Sequence, residues 1–156
     1  MSPRLSLAGL RLHPVLVIGA AFPELLARLA PFFDVEVAGD VDCADREGIH
    51  ERLAGKSALI DAQGLPIDAA LLARLPHLTA ICRIGPSDGA LDLDACTRAR
   101  VVATDTPDFG ADEAARRTMA LVAVDNLIAA FGFGREAGHP RNLLNPELRC
   151  VLGCCL

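Results

Sequence analysis

Apolar residues in this chain fall into two alternating kinds of run. PVLVIG (14–19), DVEVA (34–38), SALIDA (57–62), LTAICRIG (78–85) and VVATD (101–105) are short and rich in β-branched residues, so each reads as a strand. Between them the spacing changes to the helical period. Pro23 begins ELLARLAPFF, with Leu25, Leu26, Leu29, Phe32 and Phe33 on one stripe. Asp45 to Leu53 reads as a short helix ending at Gly55, and Asp68 caps AALLARL, which Pro76 stops. Asp92 or Asp94 opens a short helix to about Arg100. A long helix is expected from about Ala111 to Phe131, with Asp112 and Glu113 at its positive end and Gly132 and Gly134 after it.

Strand and helix alternate five times. That order predicts an α/β unit: an open parallel sheet of about five strands, flavodoxin-like in outline, with right-handed crossovers placing helices on both faces. LTAICRIG is the most continuously apolar run and is expected to be central; DVEVA alternates and is expected nearer an edge. Residues 1–13 read as an N-terminal extension, 14–131 as the α/β domain and 132–156 as connector, closing on a strand-like CVLGCCL. In the long helix, Asp125 and Asn126 interrupt an apolar run; they are expected to face solvent or a partner domain, and so apolar a helix is expected to leave some surface uncovered.

Composition narrows the function classes. Fifteen basic against twenty acidic side chains give a net charge of -5, which argues against nucleic acid; without Trp or Tyr there is little for bases to stack on. No apolar run approaches the ~18 residues of a membrane span, and PVLVIGAA reads as a buried strand rather than a signal peptide, so the cytoplasm is the expected compartment. The six cysteines form no CxxC pair. Cys82 in a strand and Cys96 on a helix read as small buried thiols, and no metal site is expected.

In an open parallel sheet, ligands sit beyond the carboxyl ends of the strands. Those ends hold Asp61, Gln63 and Gly64 after the third strand, Gly85-Pro86-Ser87-Asp88-Gly89 after the fourth, and Asp105-Thr106-Pro107-Asp108 after the fifth. Backbone amides of the fourth loop could face an anion; the same residues also make a good turn. LIDAQGLP looks like a phosphoacceptor strand, but Ala20, Ala21 and Phe22 stand where acidic residues would hold magnesium. The glycines of GFGREAG follow a helix rather than a strand, unlike a dinucleotide loop. The four histidines have no nucleophile or acid at a recognisable spacing and are expected to be solvated or capping.

Residues 75–115, LPHLTAICRIGPSDGALDLDACTRARVVATDTPDFGADEAA, resemble the D-isomer-specific 2-hydroxyacid dehydrogenase family, whose members carry LPxLKxIxxxGVGYDNIDL followed by TNTPD. Leu75, Pro76, Leu78, Ile81, Gly85, Asp92, Leu93, Thr106, Pro107 and Asp112 fall in register without a gap. Upstream, ALIDAQGLP resembles the family's preceding strand and substrate loop; downstream, ELRCVLG resembles the phrase that opens its nucleotide-binding domain. The glyoxylate, hydroxypyruvate and 2-ketogluconate reductase branch is the most similar.

The resemblance implies the substrate-side, catalytic domain of a two-domain oxidoreductase that uses NAD or NADP and a small 2-oxo or 2-hydroxy acid. It implies substrate contacts at Gln63, Gly64, Gly85, Pro86 and Ser87, and a cofactor-facing stretch at Asp105, Thr106 and Pro107. The family's dinucleotide glycine loop and catalytic Arg, Glu and His would lie beyond Leu156. The chain is therefore expected to be truncated before the nucleotide-binding domain, to carry no catalytic residue, to bind no dinucleotide stably alone and to be inactive by itself. A homodimer or a complementing nucleotide-binding domain are the expected partners. Pro86 and Ser87 replace the Val-Gly pair whose amides hold the substrate carboxylate in the family, and proline has no N–H. Asp88 adds a like charge, Asp105 replaces the Asn of NTP, and Arg116 replaces an acidic residue. A non-catalytic small-acid-binding or interaction module is the alternative reading.

Overall fold

Five short strands form one all-parallel sheet in a computed structural model that describes residues 12–85 and 90–150, the last two by backbone alone. They are β1 (His13–Ile18), β2 (Phe33–Ala38), β3 (Ala58–Asp61), β4 (Ala80–Arg83) and β5 (Val102–Thr104), in the order β2-β1-β3-β4-β5. The flavodoxin-like outline expected from the alternation is the one observed. The CVLGCCL run falls, but for Cys150, outside the described residues.

Successive side chains of a strand point to opposite faces, and here both faces are apolar. Leu16, Ile18, Leu59, Ile81 and Ala103 pack on one side with Ile49 and Leu53 of α2 (Arg46–Leu53), Leu71 and Leu72 of α3 (Ala69–Ala73) and Ala95 and Cys96 of α4 (Leu93–Arg98). Val15, Val17, Ala58, Ile60, Ala80, Cys82 and Val102 pack on the other with Leu25 and Leu29 of α1 (Pro23–Leu29) and Ala120, Ala123, Val124 and Leu127 of α5 (Glu113–Ala130).

Four helices begin on an aspartate whose carboxylate accepts a backbone N–H three residues on: Asp45 from Gly48, Asp68 from Leu71, Asp92 from Ala95 and Asp112 from Ala115. Each satisfies a donor that the first turn leaves orphaned.

One expectation about α5 is corrected. Asp125 is exposed and pairs with Arg28 at 2.8 Å, but Asn126 is buried at 1% exposure, so it does not face solvent. Leu121, Val122 and Ile128 of α5 stay partly uncovered. The residues after the helix cover part of the neighbouring surface. Phe131 and Phe133 turn back onto Phe33, and Phe133 stacks on Phe32 at 5.0 Å.

The segment read as connector also folds back. Leu143 makes an isolated antiparallel bridge to Thr104, and the Leu144 N–H donates to the Ala103 carbonyl at 2.8 Å. Asn145, 2% exposed, accepts from the Ala103 N–H at 3.0 Å and donates to the Val101 carbonyl at 2.8 Å. One asparagine thus supplies the hydrogen bonds a sixth strand would give, on an edge that would otherwise be open. A short 3-10 turn, Pro146–Cys150, follows and buries Leu148.

Candidate functional site

At the carboxyl end of β3, Asp61 organises the loop that follows. Its carboxylate is 1% exposed and accepts three backbone N–H groups: Gln63 at 2.8 Å, Gly64 at 3.1 Å and Leu65 at 2.8 Å. Gly64 sits at φ +73°, a left-handed conformation that suits glycine. The Arg83 guanidinium, 2% exposed, lies 3.8 Å from Asp61 and donates to the Leu65 carbonyl. Asp61 and Arg83 are the last residues of neighbouring strands, so two buried opposite charges sit side by side beneath the loops. With both oxygens in use and no solvent access, Asp61 has the surroundings of a structural carboxylate rather than of a phosphoacceptor.

Gln63 is placed at the site but turned from it. Its side-chain amide accepts from the Val41 N–H at 2.8 Å and donates to the Val41 carbonyl at 2.9 Å. Both ends of the amide hold the segment after β2.

Beyond β4 and β5, two turns are bolted together. The Gly85 N–H donates to Thr106 Oγ1 at 2.7 Å, and the Thr106 N–H reaches the Gly85 carbonyl at 3.4 Å. Thr106 is buried at 1% exposure, Asp105 is half-buried and Pro107 is exposed. Gly85 has φ +99°, with no atom within 4 Å of where a Cβ would stand. The Ile84 N–H donates to the Asp61 carbonyl at 2.9 Å, which ties this group to the β3 loop. The structure therefore brings Gly64, Gly85 and Thr106 to one end of three adjacent strands. Pro86 and Ser87 lie outside the described residues.

Behind the site, burial pushes Cys82 up to about 12, with the neighbouring Thr104 opposing the rise in part. Burial likewise raises Cys96 to about 11, reinforced by the charge of Asp92 and opposed by Arg83. No group of three or more His, Cys, Asp or Glu among the described residues could hold a metal. Gly132 and Gly134 have positive φ but follow α5 rather than a strand, unlike a dinucleotide loop.

The sequence reading missed Arg83 and misplaced Asn126. An arginine inside an otherwise apolar central strand was the available signal for the first, because a cation there must have a buried partner.

The family model for the D-isomer-specific 2-hydroxyacid dehydrogenase catalytic domain matches residues 15–139 of the 156. The chain belongs to this family. A glyoxylate reductase from Aeropyrum pernix is 28% identical over 145 residues, covering 86% of this chain and 43% of its own length. The chain thus spans less than half of that curated dehydrogenase. Among solved structures, NAD+-bound 3-phosphoglycerate dehydrogenase of Entamoeba histolytica superposes with a TM-score of 0.52 at 18% identity, covering 80% of this chain and 40% of that one. A glyoxylate reductase from Paecilomyes thermophila gives 0.52 at 20% identity, covering 78% and 38%. These two likenesses show the dehydrogenase lobe's fold. No described helix is long and apolar enough to cross a membrane.

Proposed function

We propose that this chain is the substrate-side lobe of an NAD(P)-dependent D-2-hydroxyacid dehydrogenase that reduces a small 2-oxo acid, and that the lobe alone does not turn over. The observation that carries this reading is the family match over residues 15–139, on a sheet whose β3, β4 and β5 ends gather Gly64, Gly85 and Thr106. Gly64, Gly85, Pro86 and Ser87 are the proposed substrate-side residues; Asp105, Thr106 and Pro107 form the proposed cofactor-facing side. Gln63 acts as a brace for the loop. Hydride transfer is the chemistry the nicotinamide group would supply when bound. The cytoplasm is the proposed compartment.

Pro86 favours a second reading. It lacks the N–H that the family's carboxylate loop uses, and a lost hydrogen bond to a charged group is worth about 1.5–3 kcal/mol. A non-catalytic module that binds a small acid or a protein would tolerate that loss. NMR titration with glyoxylate distinguishes the two. The dehydrogenase-lobe reading expects weak shifts at the Gly64 and Gly85 amides, and Pro86→Val tightening binding by about tenfold or more. No shift in either protein would remove the carboxylate site. Oxidation of NADH by the purified chain with glyoxylate or hydroxypyruvate would overturn the claim that the lobe is inactive alone.

A further inference from the structure

The buried side chain of Asn126 bridges the chain that leaves α5 and the turn that follows β5. Its Oδ1 accepts from the Arg141 N–H at 2.7 Å, and its Nδ2 reaches the Asp105 carbonyl at 3.4 Å. The Asn142 Nδ2 reaches the same carbonyl at 3.4 Å, while the Asp105 N–H is 3.4 Å from the Asn142 carbonyl. Asp105 is followed by Thr106, whose hydroxyl accepts from the Gly85 N–H at 2.7 Å. A continuous path of hydrogen bonds and one peptide link therefore joins Arg141 to Gly85 across the end of the sheet. Its ends are short bonds; its middle is three long contacts on the backbone of one residue, Asp105, a firm anchor at either side of a compliant joint.

We propose that Asn126 is a positioning residue: by holding residues 141–142 against Asp105, it sets Thr106 and, through the Thr106 hydroxyl, the Gly85 turn at the candidate site. An asparagine suits this post because one planar amide offers an acceptor and a donor in opposite directions. Its neighbour Asp125 points to solvent and pairs with Arg28, so the apolar helix is interrupted by two polar residues with separate roles. The importance for a 2-oxo acid rests on the proposed function; the coupling itself does not.

Amide hydrogen exchange of the ligand-free chain tests the coupling. In Asn126→Ala, exchange at Arg141, Thr106 and Gly85 is expected to speed up by about tenfold or more, with Val17 and Ile60 of the central ladder unchanged. In Thr106→Val, Gly85 should speed up and Arg141 should not. Faster exchange at Arg141 alone in Asn126→Ala would overturn the proposal, as would equal acceleration at Val17 and Ile60, the mark of a merely structural residue. If Asn126→Ala does not fold, Asn142→Gly decides. It removes the second donor to Asp105 from an exposed residue at φ +55°, where glycine fits. Faster exchange at Thr106 and Gly85 then supports the path, and none overturns it. A glyoxylate titration of the parent and Asn126→Ala completes the test, with weaker shifts expected in the variant. Absence of shifts in the parent would count against the proposed function, while the exchange result would still decide the coupling.

Discussion

Asp61 and Arg83 put opposite charges within 3.8 Å at less than 3% exposure. Three amides of the β3 loop donate to Asp61 and one carbonyl accepts from Arg83. Removing one partner of such a pair strands the other, so Asp61→Ala is expected to cost about 3–5 kcal/mol, read as a fall in the urea midpoint. The same removal frees the Gln63 and Gly64 amides, so their exchange should rise more than that of β1. The buried thiols make a pH prediction. Cys82 and Cys96 are raised from 9.0 to about 12 and about 11, so folding favours the protonated forms. Their contribution is complete below pH 9; above it the unfolded chain releases protons that the folded chain retains. Stability should therefore fall between about pH 9 and 12 through Cys82, by up to about 1.4 kcal/mol per pH unit, and by a smaller amount between about pH 9 and 11 through Cys96. Cys82→Ala should flatten that slope in urea titrations, and a slope indifferent to the substitution would contradict it. At this scale the sequence was only partly legible. Glycines and caps announce themselves, because backbone geometry restricts what can stand there. Side-chain partnerships such as Gln63 with Val41, or Asn126 with Arg141, join residues distant in the chain and leave no periodic trace.

The elements were easier to read. Aspartate N-caps mark the starts of α2, α3, α4 and α5, and Pro23 marks that of α1. Strand positions also agree, although β3 and β4 are shorter than their apolar runs. Ser57, Thr79 and Ile84 continue the hydrogen bonding outside the regular ladder, through Thr79 N–H to Ser57 O and Ile84 N–H to Asp61 O. The strip at 142–145 was not legible. It pairs with β5 through side-chain and irregular backbone bonds, and lacks the alternation by which strands are recognised. Asn145→Ala would leave the Ala103 N–H and Val101 carbonyl without these partners, at a cost of about 1–3 kcal/mol for each group that water does not reach. The measurement is urea unfolding together with exchange at the Ala103 amide; an unchanged midpoint and unchanged protection would show that the strip holds β5 by other means.

At the scale of the whole molecule, the alternation of strands and helices was enough to give the sheet, because a parallel sheet covered on both faces is the standard solution to that order of elements. The family followed from the 75–115 phrase and holds over residues 15–139. The candidate site was legible as an address, the ends of β3, β4 and β5, but its internal bracing was not.

The strip on β5 has a consequence for association. Since Asn145 and Leu144 occupy that side of the sheet, β2 is the other edge strand at which another chain could add. Asp34 and Glu36 lie along β2, and Glu36 is joined to Lys56 at 2.5 Å. Charges of this kind discourage strand addition. Glu36→Val should therefore let copies meet through β2, seen by sedimentation as a concentration-dependent dimer. Two copies joined that way would present only their blocked sides to newcomers, so the association should stop at two rather than lengthen into a fibre.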